Sequence, residues 1–433
     1  MNKRSHYTGV YLFWAVALLV IPIWWISYPE SSVKHNFKSF HVYGSQISAL
    51  LGFSFFALSF VLSTRLNIIE DLFGGLDKVY HAHHSMAKMA LLFMVAHPLL
   101  LALRWVPEDI SKALWYLFPV HRRMEINIGS WAMWGVVVLL FFTLVVRLRY
   151  HWWKYTHKFL GVFFIAAVVH IFLTDPTMLG NLGLKIYIWS LSIAAFIAWT
   201  YKTLLFNFVK KKFSYRVTQI NRLNEKVMEI ELSPLHEGVR FIPGQFCFFS
   251  FRSPAISREA HPYTITQVKE NGTIFIMVKS LGDYTGRLYD KLRSGAVGLI
   301  EGPYGRFDYK NGSHRQVWIG GGVGIAPFIS WANDLIKHPS NDLKVDIFYC
   351  VNHSSEATHA SVFQELQKVM PSAHLHLIIR DVQGFVKLSD VEDIAMKDIF
   401  ICGPSDMRKA LLLDSRKLNL NRNNIHYEDF DFF

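Results

Sequence analysis

The chain has 433 residues, which predicts two or three domains of the usual ~150 residues rather than one. Its first 207 residues contain 17 Lys and Arg and 8 Asp and Glu, about 12% of that half; the other 226 contain 28 and 25, about 23%. Soluble domains are about 25% charged, so the second half is typical of soluble domains and the first half of a membrane domain. A hydrophobic share of 52% argues against intrinsic disorder.

The basic excess lies mainly in the apolar half, which holds nine of the twelve net positive charges. This distribution favours membrane topology over nucleic-acid binding. The three cysteines include no Cys-x-x-Cys pair, which argues against a disulfide framework, a cysteine zinc site and a four-cysteine iron–sulfur cluster. They are Cys247, Cys350 and Cys402.

Six apolar segments, each near the ~20 residues of a spanning helix, predict six transmembrane helices with both ends on one side. The first follows Lys3 and Arg4 without a small-residue cleavage site before Pro29, so we interpret it as a retained anchor. Twelve Lys and Arg at loops and span ends fall on the side of the N-terminus against seven opposite, which predicts a cytoplasmic N-terminus and second half. The segments are Val10–Ser27, Phe40–Ser63, Tyr80–Leu103, Ile126–Val146, Tyr155–Thr174 and Ile186–Phe208.

Histidines recur in the third and fifth segments. A lone histidine in an apolar helix is usually a packing residue, but pairs in two neighbouring spans indicate function, because an ionisable group in lipid is costly. His83 and His97 are 14 residues apart, about 21 Å of helix, and share a face. His157 and His170 are 13 apart, about 20 Å. The spacing predicts ligand pairs at two depths, as in two six-coordinate haems.

Two details of this arrangement stay open. Ideal helix geometry turns His170 about 140° away from the face of His157, which a one-residue π-bulge between them is expected to correct. His83 is preferred over the adjacent His84 as ligand, because Ala87 lies four residues on and leaves room for a porphyrin, as Gly161 does after His157.

The second half changes pattern. Alternating segments such as 246–251 and 274–278, separated by turns, predict an antiparallel barrel. From about Gln316 strands alternate with helices: strand 317–319, a helix near 328–336 and strand 345–351 predict a parallel sheet with crossover helices. The predicted fold is thus a six-helix membrane bundle followed by an antiparallel barrel and an α/β domain.

Glycine-rich and polar motifs punctuate this half. A glycine turn exposes backbone N–H groups and lysine adds a point charge, so Lys279 with the following Gly282–Thr285 suits phosphate. The turn Gly320–Pro327 directly follows a strand and opens a helix, which places a pyrophosphate at the helix N-terminus. The remaining motifs are His261-Pro262-Tyr263-Thr264 and Cys402-Gly403-Pro404.

In this order the motifs resemble those of the ferric reductase and NADPH oxidase superfamily, over nearly the whole chain. The resemblance implies a haem-binding transmembrane domain at residues 1–209, an FAD-binding barrel at 213–310 and an NAD(P)H-binding domain at 315–433. It also implies that Tyr263 packs on the isoalloxazine and that Thr264 forms a hydrogen bond near its reactive nitrogen. Cys402 is then expected beside the nicotinamide, and the aromatic ring of Phe433 over the flavin, where the nicotinamide displaces it. Cofactor-binding positions implied by the resemblance are His261, Pro262, Tyr263, Thr264, Lys279, Gly282, Asp283, Thr285, Gly320, Gly321, Gly322, Gly324, Pro327, Cys402, Gly403 and Pro404.

The implied activity is hydride transfer from NAD(P)H to FAD, then single-electron transfer through haem b at His83 and His157 and haem b at His97 and His170. The acceptor on the far face is a ferric complex or molecular oxygen, giving superoxide; the residues do not choose between them. Asn352 and His353 stand where NADPH-selective relatives often carry arginine, so NADPH and NADH both stay open. Protein partners and oligomeric state are also open.

Two other classes compete. The run His81-Ala82-His83-His84 loosely resembles the histidine boxes of membrane di-iron oxygenases and desaturases, which are also fused to reductase modules. Such sites need about eight histidines on one membrane face, whereas His97 and His170 fall on the opposite side. A non-catalytic membrane protein with a degenerate reductase module is the third class, and the complete motifs argue against it.

Overall fold

The computed structural model describes residues 8–27, 37–146, 150–174 and 181–430. These divide into two compact units. The membrane unit contains residues 8–73 and 79–209, and the nucleotide-binding unit contains residues 210–430 with the short segment 74–78.

In its described residues the membrane unit is built from helices, and six of these segments are long and apolar enough to cross a membrane. Their large exposed side chains, such as Trp131 and Phe141, suit a surface that faces lipid. The predicted six spans are therefore confirmed. The helices are α1 Thr8–Leu18, α2 Val20–Ser27, α3 Phe37–Leu62, α4 Asn67–Phe73, α5 Leu76–Leu103, α6 Ile110–Leu117, α7 Met124–Leu144, α8 Tyr150–Lys158, α9 Leu160–Thr174, α10 Leu182–Thr200 and, after a π-helical turn at Tyr201–Leu205, α11 Phe206–Val209.

Helix α3 is the most buried of the six spans. Its Phe53 stacks on Phe164 of α9 with ring centres 5.7 Å apart, and its Phe55 stacks on Phe93 of α5 at 5.9 Å. Aromatic packing thus holds the two histidine-bearing spans, α5 and α8–α9, against the same central helix.

The fifth span is interrupted at Phe159, between α8 and α9. The Phe159 N–H donates to the Thr156 carbonyl at 3.1 Å, and the Val162 N–H donates to the Phe159 carbonyl at 3.0 Å. These i→i−3 bonds overwind the helix, so the expected π-bulge between His157 and His170 is wrong. Thirteen residues of ideal helix rotate about 140° less than four full turns. A tighter turn adds rotation and therefore brings His170 back toward the face of His157.

A closed antiparallel barrel begins the nucleotide-binding unit, with strand order β1-β2-β5-β4-β3-β6. Inward-facing apolar side chains such as Phe249 and Ile276 fill it. The strands are β1 Lys212–Arg222, β2 Val227–Pro234, β3 Phe246–Arg252, β4 His261–Val268, β5 Ile274–Lys279 and β6 Val297–Tyr304, with helix α12 Asp283–Lys291 after β5.

A five-stranded parallel sheet follows, in the order β11-β10-β7-β8-β9. Trp318 and Trp331 are fully buried in its larger core, where their ring centres lie 5.0 Å apart. The predicted barrel and parallel sheet are both confirmed. The strands are β7 Arg315–Gly321, β8 Lys344–Val351, β9 Ala373–Ile379, β10 Asp398–Cys402 and β11 Ile425–Glu428; the helices are α13 Ala326–Lys337, α14 Ala360–Val369, α15 Arg380–Gln383 and α16 Ser405–Lys417.

Candidate functional site

The membrane unit brings the four proposed ligand histidines together two by two. The ring centres of His83 and His157, the first pair, lie 6.2 Å apart. Those of His97 and His170, the second pair, lie 6.4 Å apart. His84 is exposed, whereas His83 is partly buried and faces His157.

Hydrogen bonds fix the tautomer of three of these rings. Nδ1 of His83 lies 2.9 Å from the Ser59 carbonyl oxygen, Nδ1 of His97 lies 3.0 Å from that of Ser45, and Nδ1 of His170 lies 2.7 Å from that of Glu125. A carbonyl oxygen only accepts, so Nδ1 carries the proton and Nε2 keeps its lone pair. Each of the three rings is therefore ready to bind a metal through Nε2.

The spacing of the rings fits a metal between them. Two metal–imidazole bonds of about 2 Å in line, with half a ring at each end, give ring centres about 6 Å apart. A cavity of about 370 Å³ lies beside His97 and His170, and small residues such as Gly129 and Ala132 line it. A β-carbon at Gly129 would lie 2.7 Å from the His170 ring. The second pair thus combines two candidate ligands with a neighbouring cavity.

The same cavity is lined by the basic residues Arg104 and Arg123, together with Tyr116. Arg123 pairs with Glu125, the residue whose carbonyl binds His170. In the described part of the chain, no three His, Cys, Asp or Glu side chains converge to hold a metal ion.

The predicted flavin motifs meet at the start of β4. The His261 ring stacks on the Tyr284 ring at 4.0 Å between centres, and its Nε2 lies 3.3 Å from a carboxylate oxygen of Glu259. Burial lowers the pKa of His261, and the Glu259 carboxylate opposes that shift. The hydroxyls of Tyr263 and Tyr284 are buried without a hydrogen-bond partner among the described residues. Burial raises both phenol pKa values, so both groups stay neutral donors available to a ligand.

Other flavin-motif residues lie nearby. Thr264 is buried and pairs with Phe246 on the neighbouring strand β3. Asp283 begins α12, and the Thr285 hydroxyl accepts the Gly282 N–H at 3.0 Å, which closes that turn. The Lys279 ammonium lies 3.8 Å from the place of a β-carbon on Gly322, next to the second glycine-rich turn. Lys279 is therefore positioned toward the nucleotide turn as well as the barrel.

The two nucleotide motifs lie at the carboxyl ends of neighbouring strands in the parallel sheet. Strands β7 and β10 are parallel neighbours in which Gly320 pairs with Cys402. Gly322 adopts φ +56°, and a β-carbon on Gly324 would lie 2.5 Å from the Cys402 carbonyl oxygen. Only glycine tolerates both positions, which explains the glycine-rich turn. The turn leads into α13 through Pro327, and Cys402 beside it is fully buried. Gly321 packs against Pro404, and Gly403 lies against Gly324. Phe433 lies outside the described residues.

Sequence reasoning missed a residue at the adjacent strand ends. Arg380 directly follows β9, and its Nη1 donates to Oδ1 of Asn352 at 3.3 Å. His353 pairs with Asp381 at 2.5 Å. Because β8 and β9 are parallel neighbours, their carboxyl ends bring Arg380 to Asn352. An arginine immediately after the apolar segment Leu377–Ile379 was the available signal.

Three family models match consecutive parts of the chain. A ferric reductase like transmembrane component matches residues 48–168, an FAD-binding domain 212–308 and an oxidoreductase NAD-binding domain 318–412. The fold and these matches define a multi-pass membrane protein that carries an FAD-binding domain and a domain of the oxidoreductase NAD-binding family. The order of the three domains matches that of a ferric reductase-type fusion, and the family resemblance inferred from the motifs is confirmed.

Individual relatives are distant. Ferric reductase transmembrane component 6 of Saccharomyces cerevisiae is 21% identical over 366 residues, covering 80% of this chain and 48% of the relative. A component of the Na(+)-translocating NADH-quinone reductase of Pseudomonas aeruginosa is 28% identical over 155 residues, covering 32% of this chain and 38% of the relative. The chain thus spans about half or less of the length of these two relatives. The solved structure of flavohemoglobin from Malassezia yamatoensis, with bound FAD and heme, is 16% identical in sequence, with a TM-score of 0.52. The match covers 91% of this chain and 99% of the flavohemoglobin chain, and it indicates similarity of fold alone.

Proposed function

We propose that the protein transfers electrons from cytoplasmic NAD(P)H across a membrane, through FAD and two haem b groups, to an acceptor on the opposite face. The observation that carries the proposal is the convergence of four histidines into two pairs with ring centres 6.2 and 6.4 Å apart. Two imidazoles on opposite sides of an iron leave no open coordination site, which suits electron transfer. The domain boundaries 1–209, 213–310 and 315–433 belong to the same proposal.

The nucleotide-binding unit has the groups needed to hold both nucleotides. When bound, FAD supplies the conversion of a two-electron donor into single electrons. Tyr263 and Tyr284 offer buried hydroxyl donors to it, and Thr264 lies on the same strand as Tyr263. The Gly322 turn and the Lys279 ammonium together offer N–H groups and positive charge to the pyrophosphate of NAD(P)H.

NADPH is the donor we favour. Arg380 and Asn352 form a polar pair at the sheet edge, and guanidinium groups bind phosphate through paired hydrogen bonds. Asp381 lies beside them and is paired with His353. The pair therefore compensates for the arginine that is absent at positions 352 and 353.

On the acceptor face, Arg104 and Arg123 give the second-pair cavity a positive lining. Such a lining suits the haem propionates and attracts an anionic ferric chelate, while molecular oxygen needs no charge. Ferric chelate and oxygen are thus both acceptors within the proposal.

Haem content of the purified full chain tests the proposal. We expect two haems with a b-type Soret band, and their reduction by NADPH after FAD is added. His83→Ala should lose one haem, whereas the matched control His84→Ala should keep both. Superoxide formation and ferric-chelate reduction, assayed in parallel, distinguish the acceptors. Bound iron without a Soret band would support the di-iron alternative instead.

A further inference from the structure

The two histidine pairs differ in the hydrogen-bond acceptors around their Nδ1 atoms. At the second pair, Nδ1 of His97 faces the Ser45 carbonyl at 3.0 Å and the Ser45 hydroxyl at 2.8 Å. Nδ1 of His170 faces the Glu125 carbonyl at 2.7 Å and the Thr174 hydroxyl at 3.0 Å. Each ring of this pair therefore has two oxygen neighbours.

The direction of the hydroxyl bonds follows from their other contacts. The Ser45 hydroxyl donates to the His97 carbonyl at 2.9 Å, and the Thr174 hydroxyl donates to the His170 carbonyl at 2.6 Å. A hydroxyl has one proton, so each of these oxygens is left to accept from the imidazole Nδ1–H. Both side chains thus add to the backbone carbonyls as acceptors.

The first pair is much poorer in acceptors. Nδ1 of His83 faces the Ser59 carbonyl at 2.9 Å, while the Ser59 hydroxyl donates to the Phe56 carbonyl instead. Nδ1 of His157 is buried with no hydrogen-bond partner in residues 8–27, 37–146, 150–174 and 181–430. The Trp153 ring stacks against the His157 ring at 5.2 Å.

Acceptors at the Nδ1–H of a ligand histidine make it more basic and orient its ring. A more basic ligand favours the ferric over the ferrous ion and so lowers the reduction potential. Resting on the proposed function, we propose that Ser45 and Thr174 are positioning residues that set the iron site of the second pair to a lower potential than that of the first. The second site is then the stronger reductant, on the side where the acceptor is reduced.

Redox titration of the full chain in detergent, followed by haem absorbance, tests this inference. We expect two components, and Ser45→Ala and Thr174→Val should each raise the potential of the lower one. A tenfold change in the relative affinity for the two iron oxidation states corresponds to a shift of about 59 mV for one electron. Ser59→Ala is the matched control, since its hydroxyl does not contact His83, and it should leave both potentials unchanged.

The conservative variant Thr174→Ser retains the hydroxyl and should restore the original potential, which separates positioning from a general loss of structure. The inference is overturned if the two components do not respond to Ser45→Ala and Thr174→Val, or if the higher component moves instead. Fewer than two haems per unmodified chain would overturn the proposed function itself, whereas two haems that titrate as a single component would overturn only this inference, so the two failures are distinguishable.

Discussion

Gly129→Ala places a methyl group where the second histidine pair has no room for it. The added β-carbon would lie 2.7 Å from Cε1 and Nδ1 of His170, well inside van der Waals contact. The ring cannot yield freely, because its Nδ1 donates to the carbonyl of Glu125, which lies one turn before Gly129 in α7. Overpacking of this kind costs about 1–3 kcal/mol. We therefore expect haem affinity at the second pair to fall about 5- to 150-fold.

Haem per chain and the redox titration curve measure this effect. Gly129→Ala should weaken or remove the lower-potential component and leave the higher one in place. Gly44→Ala is the control, because its β-carbon would lie 3.3 Å from the flexible end of Leu100, which can move aside. Two unaltered components in Gly129→Ala, or an equal loss in Gly44→Ala, would refute the reasoning.

Three further predictions concern the nucleotide-binding unit. Burial would raise the pKa of Asp398, but hydrogen bonds from His426 and Ser313 hold that pKa below its usual range. The Asp398 carboxylate therefore stabilises the folded protein above a pH of about 3.9, and this contribution is lost as the pH falls through the folded-state pKa. Asp398→Asn should therefore cost about 1–3 kcal/mol of unfolding free energy at pH 7, with a smaller difference at pH 3, in thermal melts. Arg380→Ala should raise KM about tenfold for NADPH and little for NADH in steady-state assays; equal changes for both would argue against a phosphate contact. Burial raises the thiol pKa of Cys247, Cys350 and Cys402. A thiol reagent at pH 8 should therefore label these cysteines only after denaturation, and rapid labelling of the native protein would contradict this prediction.

The fold was predictable because each of the three domains carries one dominant pattern. Apolar runs near 20 residues specify spanning helices whatever their neighbours, and the change to alternating segments marks the barrel. The break at Phe159 was not predictable, since no proline or glycine stands at that position. Arg380 was missed because its role depends on the order of strands in the sheet, which periodicity does not reveal.

The acceptors of the histidine pairs had a signal in the sequence, and it explains how the bundle positions its ligands. Ser45 and Ser59 are 14 residues apart in α3, the same separation as His83 and His97 in α5. The two helices run antiparallel, so one alignment of α3 and α5 places the Ser59 carbonyl at His83 and the Ser45 carbonyl at His97.

Local helix chemistry frees the carbonyl at the first of these contacts. The carbonyl of Ser59 lies in the last turn of α3, where helix carbonyls lose their intrahelical donors. The N–H of Ser63 donates to Phe60, one residue short of the regular partner, so the Ser59 oxygen is available to His83. In the fifth span His157 lies in the last turn of α8, beside the overwound turn and under Trp153, and has no matching acceptor among the described residues. The difference between the two pairs therefore follows from where each histidine lies along its helix.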